Sequence, residues 1–157
     1  LVFPKPATLD VIQNKRTQKE FYTAQKLPTA PYMAFANKAE LDKVTAKGTI
    51  KFPCIWKAAR FGYDGFGVKK LDNIAAIDTL PEGECIVEDL VPIAQEISVI
   101  VARSASGEVS LYPPVGMAFH PTANQVEFVY YPAEITPSIS EKAQEIAKDL
   151  VAAWEHV

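Results

Sequence analysis

The sequence predicts an α+β fold built in two layers, and three features point to it. Near the C-terminal end, Ala143, Ile146, Ala147, Leu150, Val151 and Trp154 recur at helical spacing as one apolar stripe. The run "EISVIVARS" (96–104) is β-branched and apolar on both faces, the pattern of a central strand. Helices and strands alternate through the first half of the chain, whereas strands follow one another directly in the second.

Taken in order, "IQNKRTQKEFYTAQKL" (12–27) reads as a helix with a mixed face. "PTAPYMAFA" (28–36) is extended, because its prolines oppose helix and its tail is apolar. Asn37 with Glu40 three residues later is a capping-box pattern, and Gly48 ends the helix it opens. "FPCIWKAA" (52–59) and "VKKL" (68–71) are strands on either side of a glycine-rich loop, and "DNIAAIDTL" (72–80) is a short helix or turn. "ECIVEDL" (84–90) is a strand. After 96–104, a turn at Gly107–Glu108 leads into a strand "VSLYPPVGM" (109–117), and "NQVEFVYYPAE" (124–134) is another. Ser138 and Glu141 form a capping box at the start of the last helix. The chain is expected to divide near 88–95, with Pro92 in the hinge.

A chain of 157 residues suffices for one domain or two small subdomains, and 48% hydrophobic with 22% charged residues is ordinary for a soluble globular protein. No apolar run approaches the ~20 residues of a membrane span, and "LVFPKPATLD" does not have the form of a signal peptide. The first residue is not Met, so a piece of a longer chain is expected. Cys54 and Cys85 form no C-x-x-C pair and His120 and His156 have no metal-ligand spacing, which argues against zinc. Two thiols within apolar runs fit a reducing, cytoplasmic setting. Residues 1–80 hold thirteen Lys/Arg against seven Asp/Glu, and residues 81–157 hold three against twelve. The basic half suits a polyanionic ligand, and the acidic half suits ribose hydroxyls and divalent metal. Nucleic acid is disfavoured, because no cluster of Arg is interleaved with aromatics.

"RFGYDGFGVKK" (60–70) concentrates three of the seven glycines, Gly62, Gly65 and Gly67, between Lys57 and Arg60 on one side and Lys69 and Lys70 on the other. Gly62 and Gly67 have P-loop spacing, but Val68 and Lys69 stand where Lys and Ser/Thr are required. No G-x-G-x-x-G can be drawn through the three glycines either. Two readings remain: a hairpin connection with solvated lysines, or a loop whose backbone N–H groups approach an anion.

Four anchors in fixed order then matter: Lys15, "IWK" ending at Lys57, "GYDGFG", and "ECIVEDLVPIAQEISVIVAR". Together they resemble the ATP-grasp superfamily and, within it, the N5-carboxyaminoimidazole ribonucleotide synthetases. The resemblance rests on "QNKRTQK" (13–19), "PTAP" (28–31), Lys57, "GYDGFGV" (62–68), "CIVEDLVPIAQEIS" (85–98) and "YP" (112–113), and covers most of the chain. It implies an ATP-grasp fragment: a lead-in over 1–16, a small α/β lid subdomain over 17–90, and over 91–157 part of a larger antiparallel-sheet subdomain. It also implies that Lys57 and Lys15 meet the phosphates, under a lid of Gly62, Tyr63, Asp64, Gly65, Phe66, Gly67 and Val68. Glu88, with the backbone of Asp89, Leu90 and Val91, would hold the adenine edge, and Glu96 the ribose hydroxyls. His120 would contact substrate or phosphate, or else serve as a surface turn.

The activity implied is ATP-dependent carboxylation of 5-aminoimidazole ribonucleotide with bicarbonate through carboxyphosphate. The implied assembly is a cytoplasmic homodimer without membrane or nucleic-acid partners. Catalysis in this part of the enzyme would be positioning and electrostatics, with no side chain acting as nucleophile or general base. ATP and Mg²⁺ are the implied cofactors. The family's Mg²⁺ ligands and acceptor-binding domain are expected outside residues 1–157, so these residues alone are expected not to turn over ATP. Phe66, Val68 and Asn14 depart from the family pattern, each with loss of a charge or an amide. The alternatives are another ATP-grasp carboxylate–amine ligase and a nucleotide-binding module without turnover.

Overall fold

Small polar side chains start most of the helices. Asn14 Oδ1 accepts from the N–H groups of Arg16 (2.8 Å) and Thr17 (3.4 Å) and opens α2, Lys15–Ala24, behind a short α1, Pro6–Ile12. Asn37 Oδ1 accepts from Glu40 N–H at 2.9 Å and opens α3, Lys38–Ala46. Asn73 opens a 3₁₀ helix, Ile74–Thr79, and Thr136 opens α4, Pro137–Ala153. The computed structural model describes residues 5–62, 66–120, 122 and 125–154. They form two compact units that meet in sequence at Pro92 and Ile93.

The first unit carries a four-stranded antiparallel sheet of β1 (Tyr32–Phe35), β2 (Cys54–Ala58), β3 (Val68–Leu71) and β4 (Cys85–Asp89), in the order β1-β4-β2-β3. Alternation along the strands divides its faces. Phe35, Cys54, Trp56, Leu71, Cys85 and Val87 pack with Leu41 of α3 and with Ile77 and Leu80 in one core cluster. Ile86 and Glu88 alternate with Cys85 and Val87, and α2 packs against β4, so this central strand is buried from Cys85 to Glu88.

The second unit contains β5 (Glu96–Ser98), β8 (Val115–Phe119) and β9 (Val126–Tyr130) in the order β5-β8-β9, and a separate pair, β6 (Val101–Arg103) with β7 (Val109–Leu111). Helix α4 packs on β6 and β7, and Arg103 Nη1 donates to Val151 O at 3.0 Å. The stripe from Ala143 to Trp154 is its partly buried side.

Four expectations about elements are corrected. The single helix over 12–27 is broken at Asn14, whose extended backbone (φ −124°, ψ 115°) and 3% exposure turn it into a cap rather than a helical residue. The single central strand over 96–104 is two short strands in different sheets, and β5 lies at an edge. Between the two strands, Ile100 is exposed and its carbonyl accepts from Tyr112 N–H. The strand over 109–117 is interrupted where Pro113 and Pro114 supply no N–H to a ladder. The last helix starts at Pro137, so its cap is Thr136, two residues before Ser138, and Pro137 stands in the first turn, a position that needs no N–H.

Candidate functional site

Three lysines gather around one buried carboxylate on the α2 side of the first sheet. Lys15 and Lys19 lie four residues apart on α2 and therefore share a face. Lys15 N–H donates to Ala59 O at 2.8 Å, which ties the start of α2 to the end of β2 just beyond Lys57. The β2–β4 register sets Ile55 opposite Glu88 and Lys57 opposite Ile86, so Lys57 and Glu88 are diagonal neighbours on one face.

Glu88 is 6% exposed. Lys57 Nζ lies 2.6 Å from its Oε2 and Lys19 Nζ lies 2.7 Å from its Oε1. The Lys19 contact is an ion pair, because Oε1 accepts no hydrogen bond of regular geometry. Burial pushes the Glu88 carboxyl up, but the contacts with Lys19 and Lys57 outweigh it and hold the group below the usual carboxylate range. Burial lowers the Lys15 ammonium, as does the charge of Lys57, while Glu88 opposes both. Three ammonium groups around one described carboxylate leave a surplus of positive charge, the electrostatic form of an anion site.

Gly62 and Gly67 of the loop are required by close approach and by backbone conformation. A methyl group at Gly62 would meet Lys15 Nζ at 2.9 Å and Phe66 O at 3.0 Å. Gly67 has φ +76° and its carbonyl accepts from Ala58 N–H at 2.8 Å. Val68 begins β3 opposite Lys57, and the Phe66 side chain is exposed. Tyr63, Asp64 and Gly65 of the expected site lie outside the described residues. Beyond Glu88, Asp89 donates its N–H to Pro31 O at 3.0 Å, and Asp89, Leu90 and Val91 are exposed.

In the second unit, Glu96 opens β5 opposite Met117 and is half-buried. His120 follows β8. Its N–H donates to Gln125 O at 2.9 Å and its Nδ1 accepts from Thr122 N–H at 3.3 Å, which places it in the turn toward β9. Among the described residues no three His, Cys, Asp or Glu side chains converge as a metal site.

Sequence reasoning missed two parts of the arrangement. Lys19 was passed over, although its i,i+4 spacing from Lys15 was a legible signal. The role of Glu84 was not legible: its Oε2 accepts from Asn14 Nδ2 at 2.9 Å, seventy residues away in sequence. A carboxylate therefore stands beside Asn14 although residue 14 itself carries no charge.

Comparison with known proteins gives the family and the fold. The ATP-grasp domain pattern matches residues 20–157. The N5-carboxyaminoimidazole ribonucleotide synthase of Synechococcus elongatus is 31% identical over 98% of this chain, which spans 39% of that protein. The carboxyaminoimidazole ribonucleotide synthase of Aspergillus clavatus, solved with ATP, superposes with a TM-score of 0.80 at 29% identity, over 96% of this chain and 40% of that one. The N5-carboxyaminoimidazole synthase from the same organism, solved with ADP and 5-aminoimidazole ribonucleotide, gives a TM-score of 0.78 at 27% identity, over 94% and 39%. The chain thus spans about two fifths of the length of these relatives. With the pattern matched from Glu20 to the last residue and the same fold in the solved relatives, the chain belongs to the ATP-grasp family.

Proposed function

We propose that these residues are the ATP-binding part of a carbon–nitrogen ligase that uses ATP and bicarbonate to carboxylate 5-aminoimidazole ribonucleotide through carboxyphosphate. The observation that carries the reading is the cluster of Lys15, Lys19 and Lys57 around Glu88 at the mouth of the glycine loop. A relative of the same fold solved with ADP and 5-aminoimidazole ribonucleotide supports the acceptor.

In this reading Lys57 and Lys15 meet the phosphates as point charges, and the backbone of 62–68 lies over them and excludes water. Tyr63, Asp64, Gly65 and Phe66 belong to that lid. The chain from Glu88 to Val91 presents its backbone to the adenine edge, and Glu96 accepts from the ribose hydroxyls. His120 serves as a turn residue or a phosphate contact. Residues 17–90 act as the lid subdomain and 91–157 as part of the supporting one. The full protein is a cytoplasmic homodimer. Bound Mg²⁺ would supply further counter-charge to the phosphates. The described residues on their own do not fit it, since among them no three ligand-type side chains converge.

Calorimetric titration tests the site. Lys57→Ala is expected to weaken ATP binding about tenfold or more, because a hydrogen bond to a charged group contributes ~1.5–3 kcal/mol. Unchanged affinity would remove Lys57 from the site.

A further inference from the structure

Lys19 and Lys57 share Glu88 but are held very differently. The Lys19 side chain is 12% exposed, and its Nζ meets three acceptors: Glu88 Oε1 at 2.7 Å, Thr29 Oγ1, and Ala30 O at 3.5 Å. Thr29 and Ala30 take two of the ammonium's three donors, and Glu88 is met as an ion pair. The acceptors come from β4 and from the 28–31 segment, and the ammonium also stands 5.7 Å from the centre of the Tyr32 ring. Lys57 sits near the end of β2, is 28% exposed, and meets Glu88 Oε2 at 2.6 Å. One lysine is enclosed by its partners, and the other is the more exposed of the two.

We propose that Lys19 is a positioning residue of the phosphate site, which neutralises Glu88 so that Lys57 can leave it and turn to a polyphosphate. The inference rests on the nucleotide-binding reading above. With Lys19 in place, Glu88 already has a counter-ion, and the charge of Lys57 is surplus. Without Lys19, Lys57 becomes the main counter-ion of a buried carboxylate. Drawing it toward an incoming phosphate would then strand that carboxylate, and the energy of an unpaired buried charge would oppose binding. Thr29 and Ala30 act through Lys19: they fill its other donors, so that its ammonium stays against Glu88 rather than following Lys57 to the ligand. This gives a physical role to the "PTAP" segment at 28–31, whose last residue also anchors Asp89 at the end of β4.

The test is titration of the 157-residue chain with tripolyphosphate, ADP and adenosine, alongside thermal melts. Lys19→Met is expected to weaken tripolyphosphate and ADP about tenfold, the loss of one charge-assisted contact, and to leave adenosine unchanged. The double variant Lys19→Met/Glu88→Gln is expected to recover most of that loss, because the carboxylate that captured Lys57 is gone. Thr29→Val keeps every charge and is expected to weaken tripolyphosphate about threefold, as one neutral hydrogen bond would. If Lys19→Met shows no cooperative melt, the double variant and Thr29→Val decide the matter. Wild-type-like tripolyphosphate affinity in Lys19→Met overturns the proposal. So does an equal loss for adenosine, or a double variant no tighter than Lys19→Met. A wild-type chain that binds neither ADP nor tripolyphosphate overturns the nucleotide site itself, which is a different failure and is read before any variant is compared.

Discussion

Glu88 is the residue on which the site's charge balance turns, and its pH dependence can be stated with a sign. Burial opposes its ionisation, and Lys19 and Lys57 more than offset that, so its pKa is lower folded than unfolded. The stability it contributes is present above the ordinary glutamate value of about 4.3 and is lost as pH falls through the depressed folded value. The stability gap between wild type and Glu88→Gln is therefore expected to be largest near neutrality and to shrink below about pH 4. Urea unfolding across pH measures it, and a gap independent of pH would refute the assignment. Asn14 offers a second residue-level prediction. Its side chain caps α2 and donates to Glu84 at 2.9 Å. Asn14→Asp preserves the cap but sets two carboxylates together, and is expected to destabilise by about 1 kcal/mol near neutral pH and less in acid. Stability equal to wild type at neutral pH would show that the Glu84 contact carries no weight.

At the scale of elements, the short strands of the second unit depend on a glycine that sequence patterning passes over. A methyl group at Gly116 on β8 would lie 2.3 Å from the ring of Tyr130 on β9. That ring cannot simply swing aside, because the Tyr130 hydroxyl accepts from Gln95 Nε2 at 2.8 Å, next to the start of β5. Tyr130 therefore crosses over β8 and links all three strands. Gly116→Ala is expected to cost ~1–3 kcal/mol through overpacking, read as a lower melting temperature. In a Tyr130→Leu background the same change is expected to cost clearly less, and strict additivity of the two would count against this packing. The interrupted strands have their own causes: Pro113 and Pro114 end one ladder, and the chain passes between sheets beside Ile100.

For the whole molecule, the basic first half and acidic second half take on meaning through the lysine cluster, which puts part of the basic excess at a single point. That cluster supplies binding charge, but the described residues do not bring ligand-type side chains together for a metal. On the proposed function, the 157-residue chain alone is expected to form no ADP from ATP, Mg²⁺, bicarbonate and 5-aminoimidazole ribonucleotide beyond the rate without the acceptor. Acceptor-dependent ADP formation in a coupled assay would show that residues 1–157 hold a complete reaction site.

Local physics explains what the sequence by itself determined. Asn37 with Glu40, the stop at Gly48, the strand around Lys57 and the stripe from Ala143 to Trp154 are decided by neighbours within a few residues, so each was readable. The family was readable because its motifs are short and ordered, and the matched pattern bears this out. Tertiary structure alone decided that Glu88 is the shared partner of Lys19 and Lys57, that Glu84 stands beside Asn14, and that 96–104 divides between two sheets. Each of these depends on residues far apart in sequence meeting across a sheet or at a helix start. The free energy of a buried charge depends on the partners the fold delivers to it, and no local pattern encodes them.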